Sequence, residues 1–487
     1  MRTYGATFGR RVATCVALAT AVVAGGAASQ PVLAGLDPNE AMVRVIITAD
    51  DEAATRAVER TDGLRETRDL PLIAGVAATM PRSAAAALDG RPGIHVSLDA
   101  PVRMQDTEGE EAEGEEREAT AAFVGATGAT DLAQAGVDGR GVTVAVLDTG
   151  IRPLPDFGNR LVGGVDLSGE NDPLRDGYGH GTFVAGLVAG DGTSSGGRYR
   201  GEAPGAKLVS IKVAGATGQT YSSTVIAGIQ WAVMNREAFG IKVLNLSLGA
   251  SPAESTTTAP LNKAVQKAWR SGSTVVASAG NQGPGNGSIS KPGDDPMIIT
   301  AGATDDQGTV STADDTVTDF SSVGPTFADG WFKPDLVVPG RSVVSLRALG
   351  STIDTQFPTG RMGEANFKGS GTSFSAAVTS GAAALVLQAN PTATPDAVKG
   401  RLLLTAGKGP VGNPVVDGHG LLDAKTAATA TGIVFNQSNV IRYGNPAPAV
   451  HGTVDMGKSW TASHWNGTSW NGTSWNGTSW NGTSWNG

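Results

Sequence analysis

Val144-Ala-Val-Leu-Asp-Thr-Gly150 reads as an apolar strand that ends in an acid and breaks at glycine. A carboxylate at the end of such a strand is held on a rigid element. Further along, two more Gly-rich breaks stand beside apolar runs: Gly179-His-Gly-Thr-Phe-Val-Ala-Gly186 and Gly369-Ser-Gly-Thr-Ser-Phe-Ser-Ala-Ala377. Together the three segments present Asp148, His180 and Ser373 in chain order. An acid, an imidazole and a hydroxyl are the parts of an acyl-transfer site, in which the base activates the hydroxyl and the acid orients the base.

The surroundings give the architecture. Strand-like runs fall at 142–147, 207–213, 242–246, 274–277 and 297–301. Helix-like runs fall at 182–189, 223–238, 261–270 and 373–388. Alternation of this kind predicts an α/β fold over residues 121–430, with a mostly parallel sheet and helices on both faces. Active groups then collect at the carboxyl ends of the strands.

Each group has an ordinary reading and a chemical one. Asp148 alone fits a turn or a helix cap. Beside an imidazole it fixes the tautomer and stabilises the imidazolium. His180 lies between two glycines at the start of a helical run, where it can take and return a proton. The other histidines are His95, near the N-terminus, and His419, His451 and His464, near or in the tail. Ser373 follows glycines into a helix start, so its hydroxyl is presented beside N–H dipoles. Ser370 and Ser375 compete for the same role.

These motifs, in this order, resemble those of the subtilases, the subtilisin-like serine peptidases. Gly371-Thr-Ser-Phe-Ser-Ala-Ala377 resembles the family's nucleophile segment Gly-Thr-Ser-Met-Ser-x-Pro, which assigns the role to Ser373. Phe374 replaces Met and Ala377 replaces Pro, changes that remove no reacting atom. The resemblance further implies that Asn281, in Ala-Gly-Asn-Gln-Gly, donates to the oxyanion beside the Ser373 N–H. It implies that Ser247, Leu248 and Gly249 pair with an extended polypeptide substrate, with Gly218-Gln-Thr-Tyr221 as the opposite wall. Ser290 then lies at the floor of the pocket for the residue before the cleaved bond, with an apolar preference. The family often binds structural calcium in a loop after the His helix. Here Gly190–Tyr199 offers a single acid, Asp191, so calcium stays open and no metal ligand or cofactor is named. Asp172 and Asp176 fit turn residues as well as a second calcium site. Asp417-Gly-His-Gly-Leu-Leu-Asp-Ala424 resembles the end of the peptidase domain, which makes His419 structural.

The flanks add organisation. Arg2, Arg10 and Arg11 precede the apolar stretch 12–28, and small residues follow to Ala34, so residues 1–34 read as a signal peptide. Cys15, the only cysteine, lies inside it, which leaves the mature chain without a thiol nucleophile or a disulfide. Residues 35–105 read as a small α+β module of three strands and two helices. In front of a subtilase it resembles the inhibitory prodomain, an intramolecular partner. Residues 106–120 form an acidic linker, with eight acids and one base between 106 and 118. Residues 431–464 lose periodicity, and from Trp465 the unit Trp-Asn-Gly-Thr-Ser repeats four times before Trp485-Asn-Gly487. That low-complexity tail has no partner legible in its sequence. Net charge is −9, which argues against nucleic acid as a partner. The expectation is a secreted, self-processed serine endopeptidase with no membrane span in its mature form, with association at the cell surface through its tail left open.

Overall fold

The computed structural model describes residues 42–104 and 121–432. The segment expected to be a signal peptide, the acidic linker and the Trp-repeat tail lie outside the described residues.

The N-terminal module is built on strands β1 (Met42–Ala49), β2 (Arg65–Leu70), β3 (Gly75–Pro81) and β4 (Ile94–Leu98), in the antiparallel order β2-β3-β1-β4. Helices Glu52–Glu59 and Arg82–Asp89 pack against it. Alternation along β1 divides its residues between two cores. Val43, Val45 and Ile47 join Val58, Met80, Leu88 and Val96 inside the module, while Ile46 joins the core of the larger domain. Three strands were expected here, and the structure has four plus a further strand, β5 (Pro101–Met104). β2 escapes a reading by pattern because Arg-Glu-Thr-Arg-Asp-Leu buries only its last residue.

The larger domain is centred on a sheet of β6 (Thr143–Asp148), β7 (Leu161–Asp166), β8 (Lys207–Lys212), β10 (Ile241–Leu246), β12 (Thr274–Ser278), β13 (Ile299–Asp305), β14 (Thr316–Val317) and β15 (Leu336–Pro339). Its order is β14-β13-β12-β10-β6-β8-β7, with β15 also on β13. Every pairing is parallel except β13 with β14. β7 was missed because Leu-Val-Gly-Gly-Val-Asp carries two glycines. A Cβ at Gly164 would stand 1.9 Å from the Ser210 carbonyl, so only glycine lets β7 reach β8.

Two helices bear the site residues expected from sequence and are buried nearly all round, which suits core elements. One runs from His180 to Ala189 and is buried along its whole length. The other, Thr372–Ala389, is buried from Thr372 to Leu387. The helix expected over 223–238 is Ser222–Met234, and Asn235 separates it from a short turn, Arg236–Phe239.

Candidate active site

β6 is buried at every position and delivers Asp148 at its carboxyl end. The chain turns at Gly150, where a Cβ would meet the Arg175 carbonyl at 2.4 Å. Gly179, at φ 108°, starts the His180 helix. A Cβ on Gly181 would meet the Gly150 carbonyl at 2.2 Å. Glycine at 181 therefore lets the helix start meet the strand end backbone to backbone, and glycine at 150 leaves room for the Arg175 carbonyl. His180 Nδ1 lies 2.8 Å from Asp148 Oδ1 and 2.9 Å from Oδ2, with both side chains buried. The Thr149 N–H donates to Asp148 Oδ1 at 2.8 Å. A carboxylate held by a backbone N–H and facing Nδ1 leaves Nε2 as the basic nitrogen.

Ser373 stands in the first turn of its helix. Its Oγ donates to the Ser247 carbonyl at 3.0 Å, and the Ser247 Oγ donates to the Ser373 carbonyl at 2.8 Å. Behind them, Asn245 Nδ2 donates to Ser247 Oγ and Ser380 Oγ donates to Asn245 Oδ1, each at 2.9 Å. Asn281 Oδ1 accepts from the Thr372 N–H at 2.9 Å and from Thr372 Oγ1 at 2.8 Å. Fixing the oxygen turns the amide nitrogen the other way. Phe374 fills the space between His180 and Phe183, with ring centroids at 5.8 Å and 4.4 Å. The Met-to-Phe departure is thus accommodated by aromatic packing.

The cleft contains a strand of the chain itself. β5 lies between β9 (Gln219–Tyr221) and β11 (Leu248–Gly249) in a three-stranded antiparallel sheet. Met104 faces Leu248 and Arg103 faces Gly249. On the other side Pro101 faces Tyr221, Val102 faces Thr220 and Arg103 faces Gln219. The side chains alternate as a strand requires: Val102 and Met104 are buried, Pro101 and Arg103 exposed. Just upstream, Asp99 accepts from the Ser223 N–H and Oγ, both at 2.8 Å, at the start of the Ser222–Met234 helix. A carboxylate there meets an unsatisfied helix N–H and the positive end of the helix dipole.

Ser290 is buried, and its N–H donates to the Ala279 carbonyl at 2.8 Å. Ala250 and Lys291 exchange backbone hydrogen bonds of 2.9 and 3.0 Å, which joins the β11 wall to the segment that carries Ser290. Nearby, Lys291 pairs with Asp294 at 2.6 Å. Burial pushes the Asp294 carboxyl up to about 6.

The 190–199 loop is closed on itself: Asp191 accepts from the Thr193 N–H at 2.9 Å, and the Gly197 N–H donates to the Gly192 carbonyl at 2.8 Å. No group of three or more His, Cys, Asp or Glu able to hold a metal ion occurs among the described residues. His419 is buried, and its N–H donates to the Asp335 carbonyl at 2.8 Å. Sequence reasoning missed the roles of Thr149 and Thr372, and placed Asn245 only at the head of the 245–249 segment expected to pair with an extended peptide, not behind Ser247. Asn245 left a signal, a single amide in an otherwise apolar strand end.

The family model for the subtilase family matches residues 139–437. The serine protease AprX of Bacillus subtilis is 41% identical over 294 residues, which are 59% of this chain and 66% of AprX. The chain therefore spans just under two thirds of that relative. Subtilisin Savinase of Lederbergia lenta is 37% identical over 292 residues, 60% of this chain and 92% of Savinase. Among solved structures, fervidolysin from Fervidobacterium pennivorans, a keratinolytic enzyme related to subtilisin, matches with a TM-score of 0.63 and 22% identity. That match covers 82% of this chain and 63% of fervidolysin, and it speaks for the fold alone.

Proposed function

The chain belongs to the subtilase family of subtilisin-like serine endopeptidases, and on that premise we propose that Ser373, His180 and Asp148 hydrolyse peptide bonds through an acyl-enzyme. An extended polypeptide enters between β11 and β9 as an added strand. The Ser373 hydroxyl turns from the Ser247 carbonyl to His180, which takes its proton as the oxygen attacks the scissile carbonyl. Asp148 holds the tautomer and balances the imidazolium. The oxyanion is met by the Ser373 N–H and the Asn281 amide nitrogen. His180 then gives its proton to the leaving amine, and water repeats the sequence on the ester. Ser290 bounds the pocket for the residue before the cleaved bond, which takes apolar side chains.

Secretion and self-processing complete the reading. Residues 35–105 act as an inhibitory prodomain whose last strand lies in the cleft as a product does. The enzyme is exported by its leader, and the Trp repeat gives it a surface or assembly partner. The observation that carries the proposal is the Asp148–His180 contact beside a helix-borne Ser373, with a strand of the chain paired along the same cleft.

The test is fluorophosphonate labelling and casein hydrolysis beside Ser373→Ala. The variant is expected to take no label, to cleave nothing and to stay unprocessed in a host lacking other peptidases. Labelling or turnover by the variant would overturn the assignment.

A further inference from the structure

Asp176 stands four residues before His180 and is buried, yet it has no part in the triad. Its carboxylate joins two elements. Oδ1 accepts from Thr149 Oγ1 at 2.8 Å and from the Gly179 N–H at 2.7 Å, and Oδ2 accepts from the Thr182 N–H at 2.8 Å. Gly179 and Thr182 flank His180 at the start of its helix, and Thr149 directly follows Asp148. Thr149 Oγ1 in turn accepts from the Gly181 N–H at 3.0 Å. The residues on both sides of His180 are thereby tied to the residue next to Asp148.

The Thr149 hydroxyl has one proton and two carboxylates within reach. Asp176 Oδ1 is at 2.8 Å and Asp148 Oδ1 at 3.3 Å. The shorter contact takes the proton. Asp148 Oδ1 then keeps only the Thr149 N–H and His180 Nδ1, each at 2.8 Å. Without an ionised acceptor at 176, the hydroxyl turns to Asp148 and competes with the imidazole for the same oxygen. Lys212, which reaches this turn, is spent on the Thr149 and Arg175 carbonyls at 2.9 and 2.6 Å and on Glu170 at 3.1 Å. Burial pushes the Asp176 carboxyl up, and hydrogen bonds from Gly179, Thr182 and Thr149 hold the shift back.

We propose that Asp176, acting through Thr149, is a positioning residue that holds His180 against Asp148 and keeps Asp148 free for the imidazole. The proposal rests on the triad reading above. It assigns to Asp176 a role in turnover, in place of the calcium or turn role open to it from sequence.

The experiment compares Asp176→Asn, Thr149→Ala and Thr149→Ser with the parent enzyme, each normalised by active-site titration. Loss of the outer partner of a metal-bound histidine costs about 10- to 100-fold, and the same scale is expected for the histidine of a triad. Asp176→Asn is expected to lower kcat by that factor with KM unchanged, and to lower the pKa of the basic group in the pH profile of kcat/KM. Thr149→Ala should fall by about tenfold, the low end of that range, and Thr149→Ser should retain the parent value. Thr149→Ala and Thr149→Ser keep the test open if Asp176→Asn does not fold. Parent-like kcat and pH profile in titrated Asp176→Asn, or in Thr149→Ala, overturn the proposal even if the melting temperature drops. Activity in Ser373→Ala, run alongside, would instead sink the triad reading.

Discussion

Ser373 and Ser247 are tied to each other twice: each hydroxyl donates to the other residue's carbonyl, at 3.0 and 2.8 Å. The proposed nucleophile and the segment proposed to bind substrate are therefore one unit, backed by Asn245 and Ser380. Ser247→Ala strips the Ser373 carbonyl and Asn245 Nδ2 of a buried partner. Each buried group left unsatisfied costs about 1–3 kcal/mol. Thermal unfolding of Ser247→Ala in a Ser373→Ala background should show that loss, and an unchanged melting temperature would refute the coupling.

Asn281→Ala should leave KM nearly unchanged and lower kcat by roughly 10²–10³, the loss established for the oxyanion-hole asparagine of a subtilisin and carried over to this relative. Its oxygen is already fixed by Thr372, so the amide nitrogen is the group removed from the chemistry. Steady-state kinetics on a peptide amide decide it.

Self-processing should leave Asp106 at the mature N-terminus. Met104 pairs with Leu248, and the Ser247 carbonyl is the group that receives the Ser373 hydroxyl. The next position in sequence is residue 105, so the bond after it is the one expected to be cut. N-terminal sequencing checks this, and a start beyond Ala121 would contradict it.

Asp99→Ala should weaken inhibition by residues 35–105 added as a separate polypeptide. The carboxylate caps the Ser222–Met234 helix across the interface and pairs with Arg44 at 2.8 Å. Losing a cap costs about 0.5–2 kcal/mol, which is roughly 2- to 30-fold in the inhibition constant. An unchanged constant would assign the affinity to β5 alone.

Glu202 should make stability fall as pH rises. It is buried between the helices that begin at His180 and Thr372: its N–H donates to the Leu187 carbonyl at 2.8 Å, and it packs on Gly381. Burial pushes its carboxyl well above 4.5, against one donor, Thr127 Oγ1 at 3.0 Å. The folded state thus binds a proton that the unfolded state has released. The stabilisation is full below the unfolded value near 4.5 and is lost as pH climbs toward the raised folded value. Glu202→Gln, in the Ser373→Ala background, should melt a few degrees above the parent at about pH 8–9 and alongside it below about pH 4.5. Parallel curves at all pH values would rule the effect out.

Deleting residues 465–487 should leave hydrolysis of a short peptide unchanged, because the triad and both cleft walls lie before residue 380. Retention on cells or in assemblies should fall, as linked weak aromatic contacts act by avidity. The fraction retained at equal secretion is the measurement.

The parts of the site that could be read in sequence were those carried on glycine-flanked breaks. Asp148, His180 and Ser373 each sit where an apolar run meets a turn, and the structure brings Asp148 to His180 and sets Ser373 on the neighbouring helix. What escaped was non-local. Thr149 and Thr372 acquire their roles from partners 27 and 91 positions away, and no spacing rule reaches that far. β2 and β7 escaped for a different reason: one is polar at the sheet edge, and the other needs glycine to approach its neighbour.

The strand Pro101–Met104 has a consequence for timing. While the chain is continuous, a tethered strand meets its groove at an effective concentration of order millimolar, whatever the dilution of the molecule. Once the chain is cut, the same contacts become bimolecular and weaken with every increase in volume. On the proposed reading, self-cleavage turns a hold that dilution cannot loosen into one that export into open medium does.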